Sequence, residues 1–179
     1  MRKLWIISAA VLLLGCVPLL ADQSLQEVFD LSESYGEYDK YIELDPELEY
    51  IGDLEIPAGL RVYLNGHGAL IQGRSYSTSI KVMGSLLDLS NCVIVDGYYG
   101  IYYDTLSAGS IHSNTVVGCR YSGISVMYQD MNFDVEIWDN IITDCVIGFL
   151  CIEDWIPVYI GYNTVYGMEM FRYAELCPD

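Results

Sequence analysis

The sequence predicts an all-β chain wound as a single-stranded parallel β-helix of about five to six coils, with a short helix at its start. Two observations predict it. Asparagines recur at Asn65, Asn91, Asn114, Asn140 and Asn163, in steps of 26, 23, 26 and 23 residues. A period of this size marks stacked copies of one supersecondary unit. Each copy also carries short runs of alternating apolar residues separated by Gly, Asn and Asp, which leaves no room for a helix of ordinary length. Short strands at this spacing cannot bury a face alone, so the stacking of successive coils must make the core.

Residues 1–21 read as a targeting segment. Met1-Arg2-Lys3 supplies a positive start, and an apolar run extends from Leu4 to Leu14. That run is too short for a confident membrane span. Leu13-Leu14-Gly15-Cys16 resembles a bacterial lipobox, which makes Cys16 the lipidation site and 1–15 the removed peptide. Ordinary cleavage after Ala21 is the alternative, weakened by Leu19 where a small residue is preferred. Both routes place the mature chain outside the cytoplasm, in the periplasm or at the cell surface if lipid-anchored, and otherwise secreted.

Residues 22–39 read as a cap segment. Ser24-Leu-Gln-Glu27 fits a capping box, and Leu25, Val28, Phe29 and Leu31 offer an apolar stripe for a helix ending near Gly36. Such a helix can cover the open end of the first coil, where unpaired backbone invites aggregation.

Residues 40–179 carry the repeats. Two residues after the last four asparagines stand Val93, Val116, Ile142 and Val165. Ten after stand Ile101, Ile124 and Leu150, and twelve after stand Tyr103, Val126 and Ile152. The third copy slips by one at Gly148-Phe149. Three residues before the asparagines stand Val62, Ile111, Ile137 and Ile160, a column broken by Asp88. Asparagine suits a bend because it tolerates a left-handed backbone, and stacked asparagines can bond along the coil. Met168 to Leu176 offers a weaker C-terminal cap, and otherwise the last coil meets a partner chain, so an oligomer can form through that end.

These motifs resemble the right-handed parallel β-helix proteins of the pectate-lyase-like superfamily. The resemblance rests on Asn91-Cys-Val with Gly100-Ile101, Asn114-Thr-Val with Gly123-Ile124, Asn140-Ile-Ile with Gly148-Phe149, and Asn163-Thr-Val. It implies the fold. It does not imply one activity, because the superfamily holds lyases, hydrolases, adhesins and binding modules.

The net charge is −17, and removing Arg2 and Lys3 from the 8 basic residues leaves 6 against 25 acidic ones. This charge excludes nucleic acid and anionic membrane surfaces as partners, so membrane contact would come only through a lipid anchor. Anionic polysaccharide would need calcium as a bridge. Asp45, Glu47 and Asp53 could hold that ion, without EF-hand spacing. No other metal or cofactor is indicated.

If Cys16 is lipidated, Cys92, Cys119, Cys145, Cys151 and Cys177 remain. Cys119 and Cys145 each follow an asparagine by five residues, so they should stack on neighbouring coils. That geometry permits a disulfide, and two reduced thiols filling the core is the alternative.

Gly66-His67-Gly68 matches a short polygalacturonase motif of the superfamily, but the aspartate cluster those enzymes need is missing. A turn between strands explains it. Asp96, Arg120 and Asp144 should align on successive coils as a surface charge ladder. No catalytic residue is assigned. Tyrosine is in excess, 16 of 179, and Tyr98-Tyr99-Gly-Ile-Tyr102-Tyr103 cannot bury all four rings. Tyr98, Tyr99 and Tyr102 are therefore the candidate ligand face, since exposed rings on a flat sheet suit sugar stacking.

Two functional classes follow. One is an exported, envelope-associated, non-catalytic module that binds a glycan or protein partner or serves a structural role. The other is a carbohydrate-active enzyme, a polysaccharide lyase or glycoside hydrolase. A cleft of converging acids beside a base would favour the second.

Overall fold

The computed structural model describes residues 22–127, 134–152 and 158–168. The proposed lipidation site Cys16, both proposed cleavage sites, Cys177 and most of the proposed C-terminal cap lie outside the described residues.

The described strands form a parallel β-solenoid of three sheets. A seven-stranded sheet contains β1 (Gln23–Ser24), β3 (Glu49–Ile51), β6 (Leu70–Gln72), β9 (Val93–Val95), β12 (Thr115–Val117), β15 (Ile141–Thr143) and β18 (Thr164–Tyr166). A six-stranded sheet contains β2 (Lys40–Glu43), β5 (Arg61–Asn65), β8 (Leu86–Ser90), β11 (Ala108–His112), β14 (Val135–Trp138) and β17 (Val158–Gly161). A five-stranded sheet contains β4 (Leu54–Ile56), β7 (Thr78–Val82), β10 (Tyr99–Tyr103), β13 (Ser122–Met127) and β16 (Ile147–Ile152). Each coil visits the six-, seven- and five-stranded sheets in turn. The described residues make five complete coils, β2–β4 through β14–β16, and start a sixth.

Period-two alternation sends one residue of each pair inward, and ladder register stacks the inward residues. One column reads Ile42, Leu64, Leu89, Ile111, Ile137, Ile160. A second reads Tyr50, Ile71, Ile94, Val116, Ile142, Val165. A third reads Leu54, Ile80, Ile101, Ile124, Phe149, and a fourth Ile56, Val82, Tyr103, Val126, Cys151. Most of these side chains lose all contact with water. Tyr103 is the outsized member. Its hydroxyl crosses the interior and donates to Leu87 O at 2.7 Å. Gly109 stands beside Leu87 in a column that elsewhere carries Val62, Val135 and Val158.

This register corrects the sequence alignment in three places. Ile94, not Val93, joins Val116 and Ile142. Leu89 fills the column that Asp88 seemed to break, and Val62 belongs one column over, with Leu87. Phe149 and Cys151, not Leu150 and Ile152, follow Ile124 and Val126. Val93 and Asp88 slip because Asn91 stands one position before the slot that Asn114 and Asn140 fill. Val62 slips because Asn65 pairs with Ser90, two positions before that slot, so Asn65 is not a rung of the asparagine ladder either.

Helix α1 (Leu25–Leu31) packs against β1, β2 and β4 and covers the first coil. Ser24 caps it, its Oγ accepting the Glu27 N–H at 3.4 Å. The helix stops at Leu31, five residues before Gly36, because Ser32 turns to an extended backbone at ψ 147° while its N–H still closes on the carbonyls of Val28 and Phe29. Leu25 and Phe29 enter the core, whereas Leu31 is 81% exposed and so falls outside the buried stripe.

Two columns stack at the corners from coil to coil. In the first, Asn114, Asn140 and Asn163 form a ladder. Asn114 Nδ2 donates to Asn140 Oδ1 at 3.1 Å, and Asn140 Nδ2 donates to Asn163 Oδ1 at 2.9 Å. Asn91 is not a rung. It is exposed, has φ 54°, and donates from Nδ2 only to Asn65 Oδ1 at 3.1 Å. Its structural equivalents are Ser113, Asp139 and Tyr162, which share its left-handed backbone, while Cys92 occupies the ladder slot. The left-handed bend thus belongs to the residue before each rung, not to the rung.

In the second corner, glycines face cysteines. A Cβ on Gly100 would lie 2.6 Å from Gly123 O and 3.1 Å from Cys119 Sγ. A Cβ on Gly123 would lie 2.6 Å from Ile142 Cγ2 and 3.4 Å from Cys145 Sγ. The missing side chains leave the space that Cys119 and Cys145 fill.

Candidate functional site

The outer face of the five-stranded sheet carries the tyrosines. Outward residues of neighbouring strands line up as Glu55, Lys81, Tyr102, Ser125, Leu150, of which Ser125 and Leu150 are buried, so the row is open only at its first three members. A second row places Thr78 beside Tyr99. Tyr98, just before β10, stacks on Tyr121 of the next coil, with centroids 5.3 Å apart and planes 2° from parallel. Tyr99 meets Tyr98 edge-on at 5.0 Å and Tyr102 at a tilt, also at 5.0 Å. Burial, and then the neighbouring phenols, push the Tyr99 hydroxyl above its ordinary pKa. Tyr103, the fourth ring of the run, is fully buried.

Tyr98, Tyr99 and Tyr102 therefore come together in one cluster. Tyr121 completes it, and its place in the same column one coil later is the signal that could have revealed it. Tyr99 and Tyr102 also wall a shallow cleft of about 500 Å³, lined further by Asp53, Glu55, Ser77, Thr78, Lys81 and Asp104. Sequence inspection did not gather these residues. They come from three stretches of chain, 53–55, 77–81 and 99–104, and only ladder register brings them to one surface.

The cleft is rich in committed charge. Lys81 Nζ lies 3.5 Å from Glu55 Oε1. Arg74 Nη1 lies 2.9 Å from Asp53 Oδ2, and the Ser77 hydroxyl donates to Asp53 Oδ1. Asp104 Oδ1 accepts the Thr105 N–H at 2.8 Å. Chemically, this is a flat aromatic surface with a polar, net acidic hollow at its edge. Such a surface can stack an apolar sugar face and bond its hydroxyls.

Other expected groupings do not form. Arg120 does not separate Asp96 from Asp144. The corner row reads Asp96, Gly118, Asp144, and the Arg120 guanidinium instead lies over the Tyr76 ring, 5.2 Å from its centroid. Asp96 accepts from Gln72 Nε2 at 2.8 Å. The Asp45 carboxylate accepts the Glu47 N–H at 2.9 Å, whereas Asp53 faces Arg74. Among the described residues, no three His, Cys, Asp or Glu side chains are grouped closely enough to hold a metal ion.

His67 sits in a tight exposed turn with φ 51°, its N–H bonded to Asn65 Oδ1 at 3.2 Å. Cys119 and Cys145 do lie one above the other: the Cys119 N–H points at Cys145 Sγ at 3.4 Å. Both are free thiols. On the six-stranded sheet, His112 stacks on Trp138 at 4.2 Å and 4°. Burial holds the His112 pKa below its ordinary value, against the pull of Asp88 and Asp139.

The geometry defines a parallel β-solenoid with an aromatic outer face. A family model described as a right-handed β-helix region matches residues 58–170, and the chain belongs to that family. No curated protein and no solved structure matches it.

Proposed function

We propose that this chain is an exported, envelope-associated β-helix module that binds a glycan on the outer face of its five-stranded sheet without chemically altering it. The observation that carries the reading is the tyrosine cluster: Tyr98 stacked on Tyr121, with Tyr99 and Tyr102 leading into a polar cleft. Flat rings beside hydroxyl, carboxylate and ammonium groups match the two surfaces of a sugar, its C–H face and its hydroxyl rim. The basic start, the apolar run and Leu13-Leu14-Gly15-Cys16 support export and a lipid anchor at Cys16.

A glycan-array screen of the mature domain, with calcium present and a breakdown assay on each hit, tests the binding claim. Binding without turnover is the expected result, and an array silent at every glycan removes the proposal. For the anchor, palmitate should label the wild type and leave Cys16→Ala unlabelled. Equal labelling of both, or of neither, ends that claim.

A carbohydrate-active enzyme is the second reading. It is favoured by one observation, the gathering of Asp53, Glu55 and Asp104 around Lys81 in one cleft. General acid–base cleavage needs such paired acids. Turnover on the array hit, lost in Glu55→Gln or Asp104→Asn, would establish this reading over the first.

A further inference from the structure

We infer that the cleft beside Tyr99 and Tyr102 selects glycans bearing free amines, such as de-N-acetylated hexosamine chains, and rejects uronates; this rests on the glycan-binding reading above. The cleft presents three carboxylates, Asp53, Glu55 and Asp104, against one amine, Lys81. Both nearby cations already face acids. Lys81 Nζ is 3.5 Å from Glu55, and Arg74 Nη1 is 2.9 Å from Asp53.

A uronate carboxylate entering here would meet acids first and find each cation facing a resident partner. A hexosamine ammonium meets the opposite situation. The Glu55 side chain is 61% exposed, and an ionised carboxylate can accept from a second donor while keeping Lys81. The tyrosine rings add attraction for an ammonium held over a ring face. At longer range the net charge of −17 draws polycations and repels polyanions. The rings supply stacking to any sugar, and the charge balance decides which sugar.

The test is titration calorimetry of the mature domain with three oligosaccharides of equal length: β-linked glucosamine, its N-acetylated form, and galacturonate, at mildly acidic pH. The free-amine oligomer should bind roughly fivefold tighter than the acetylated one, the size expected for one or two exposed ion pairs. Galacturonate should not bind. The preference should shrink in raised salt, because exposed charges are screened. It should also shrink in the double variant Glu55→Gln/Asp104→Asn, in which the amide oxygen at 104 can still accept the Thr105 N–H. The salt series on the unmutated protein decides the matter if that variant fails to fold.

Equal binding of the free-amine and acetylated oligomers overturns the selectivity and leaves the glycan face standing. Tighter binding of galacturonate also overturns it. Silence towards all three, together with a silent array, overturns the glycan reading itself.

Discussion

Asn140 accepts two hydrogen bonds from Asn114, one from its backbone N–H at 3.0 Å and one from its side-chain amide at 3.1 Å. It then repeats the same pair of donations to Asn163 at 2.9 Å each. Its Nδ2 also serves the carbonyls of Ile111 and Trp138, at 2.8 and 3.0 Å. At a corner the strand ladder is interrupted, and in the coils of Asn114, Asn140 and Asn163 one amide satisfies what the interruption leaves unpaired.

Asn140→Ala should therefore cost about 3–5 kcal/mol, since several buried donors and acceptors lose partners together. Asn91→Ala should cost only about 1 kcal/mol, because alanine lacks the short polar side chain that lets asparagine tolerate a left-handed backbone, and Asn91→Gly close to nothing. Urea unfolding of the three variants checks this. If Asn91→Ala is as harmful as Asn140→Ala, Asn91 is a rung after all.

That contrast shows what was legible in the sequence. The period exposed the solenoid, because every coil must return to the same position around the axis, one strand spacing further along, with a similar number of residues. The capping serine was legible too, because Ser24 acts within one turn of its own residue. Register was not. Asn91 and Asn114 are the same residue type for different physical reasons, one tolerating φ 54°, the other feeding a ladder. Aligning them shifted Val93 and Asp88 into the wrong columns. The cleft was hidden for the same reason. Glu55 and Lys81 are 26 residues apart and meet only when the ladder is counted correctly.

The glycine corner should be graded. A Cβ on Gly100 would sit 2.6 Å from a backbone carbonyl, which cannot retreat without moving a strand. Gly100→Ala should cost about 3 kcal/mol. At Gly148 the contact at 2.6 Å is the tip of Met168, a flexible side chain that can swing away, although Val165 remains at 2.9 Å. Gly148→Ala should therefore be clearly milder. Thermal melts of the two variants decide it, and equal losses would contradict the steric account.

Alkaline stability should depend on Tyr103 and Tyr38. Burial raises the Tyr103 hydroxyl well above its ordinary pKa of 10. The hydrogen bond to Asp88, then burial, pushes Tyr38 up to about 12. Both pKa values are higher in the folded chain than in the unfolded one, so the folded state holds these protons more tightly. Their contribution is complete below pH 10 and is lost as pH climbs towards and past about 12. The urea midpoint should stay flat up to pH 10 and then fall, less steeply in Tyr38→Phe. A midpoint that is unchanged between those limits would refute the assignment.

Thiol chemistry should report on the core. Cys92, Cys119 and Cys145 are each only 1% exposed. Burial pushes the Cys92 thiol up to about 12, and the hydrogen bond shared with Cys145, then burial, raises Cys119 as well. Thiolate, the reacting form, is therefore scarce at Cys92 and Cys119 at neutral pH, whereas the hydrogen bond from Cys119 lowers the Cys145 pKa and burial alone shields that thiol. Alkylation of all three should await unfolding, and each should then react without reductant. A bridge between Cys119 and Cys145 would leave both unmodified, and peptide mapping would reveal it.

The aromatic face should separate binding from folding within one short strand. Tyr102 points outward into the cleft, whereas Tyr103, its neighbour, is fully buried and bonded to Leu87 O at 2.7 Å. Tyr102→Ala removes ring stacking worth about 0.5–1.5 kcal/mol, so affinity for the array hit should fall by roughly two- to tenfold with little change in melting. Tyr103→Ala should instead destabilise the chain by about 3–5 kcal/mol, the range for a large aromatic lost from a packed core. Where enough Tyr103→Ala remains folded to titrate, its affinity per folded molecule should be close to wild type. If Tyr102→Ala leaves affinity untouched, the ligand face lies elsewhere, and the stacked His112 and Trp138 on the six-stranded sheet become the next rings to replace.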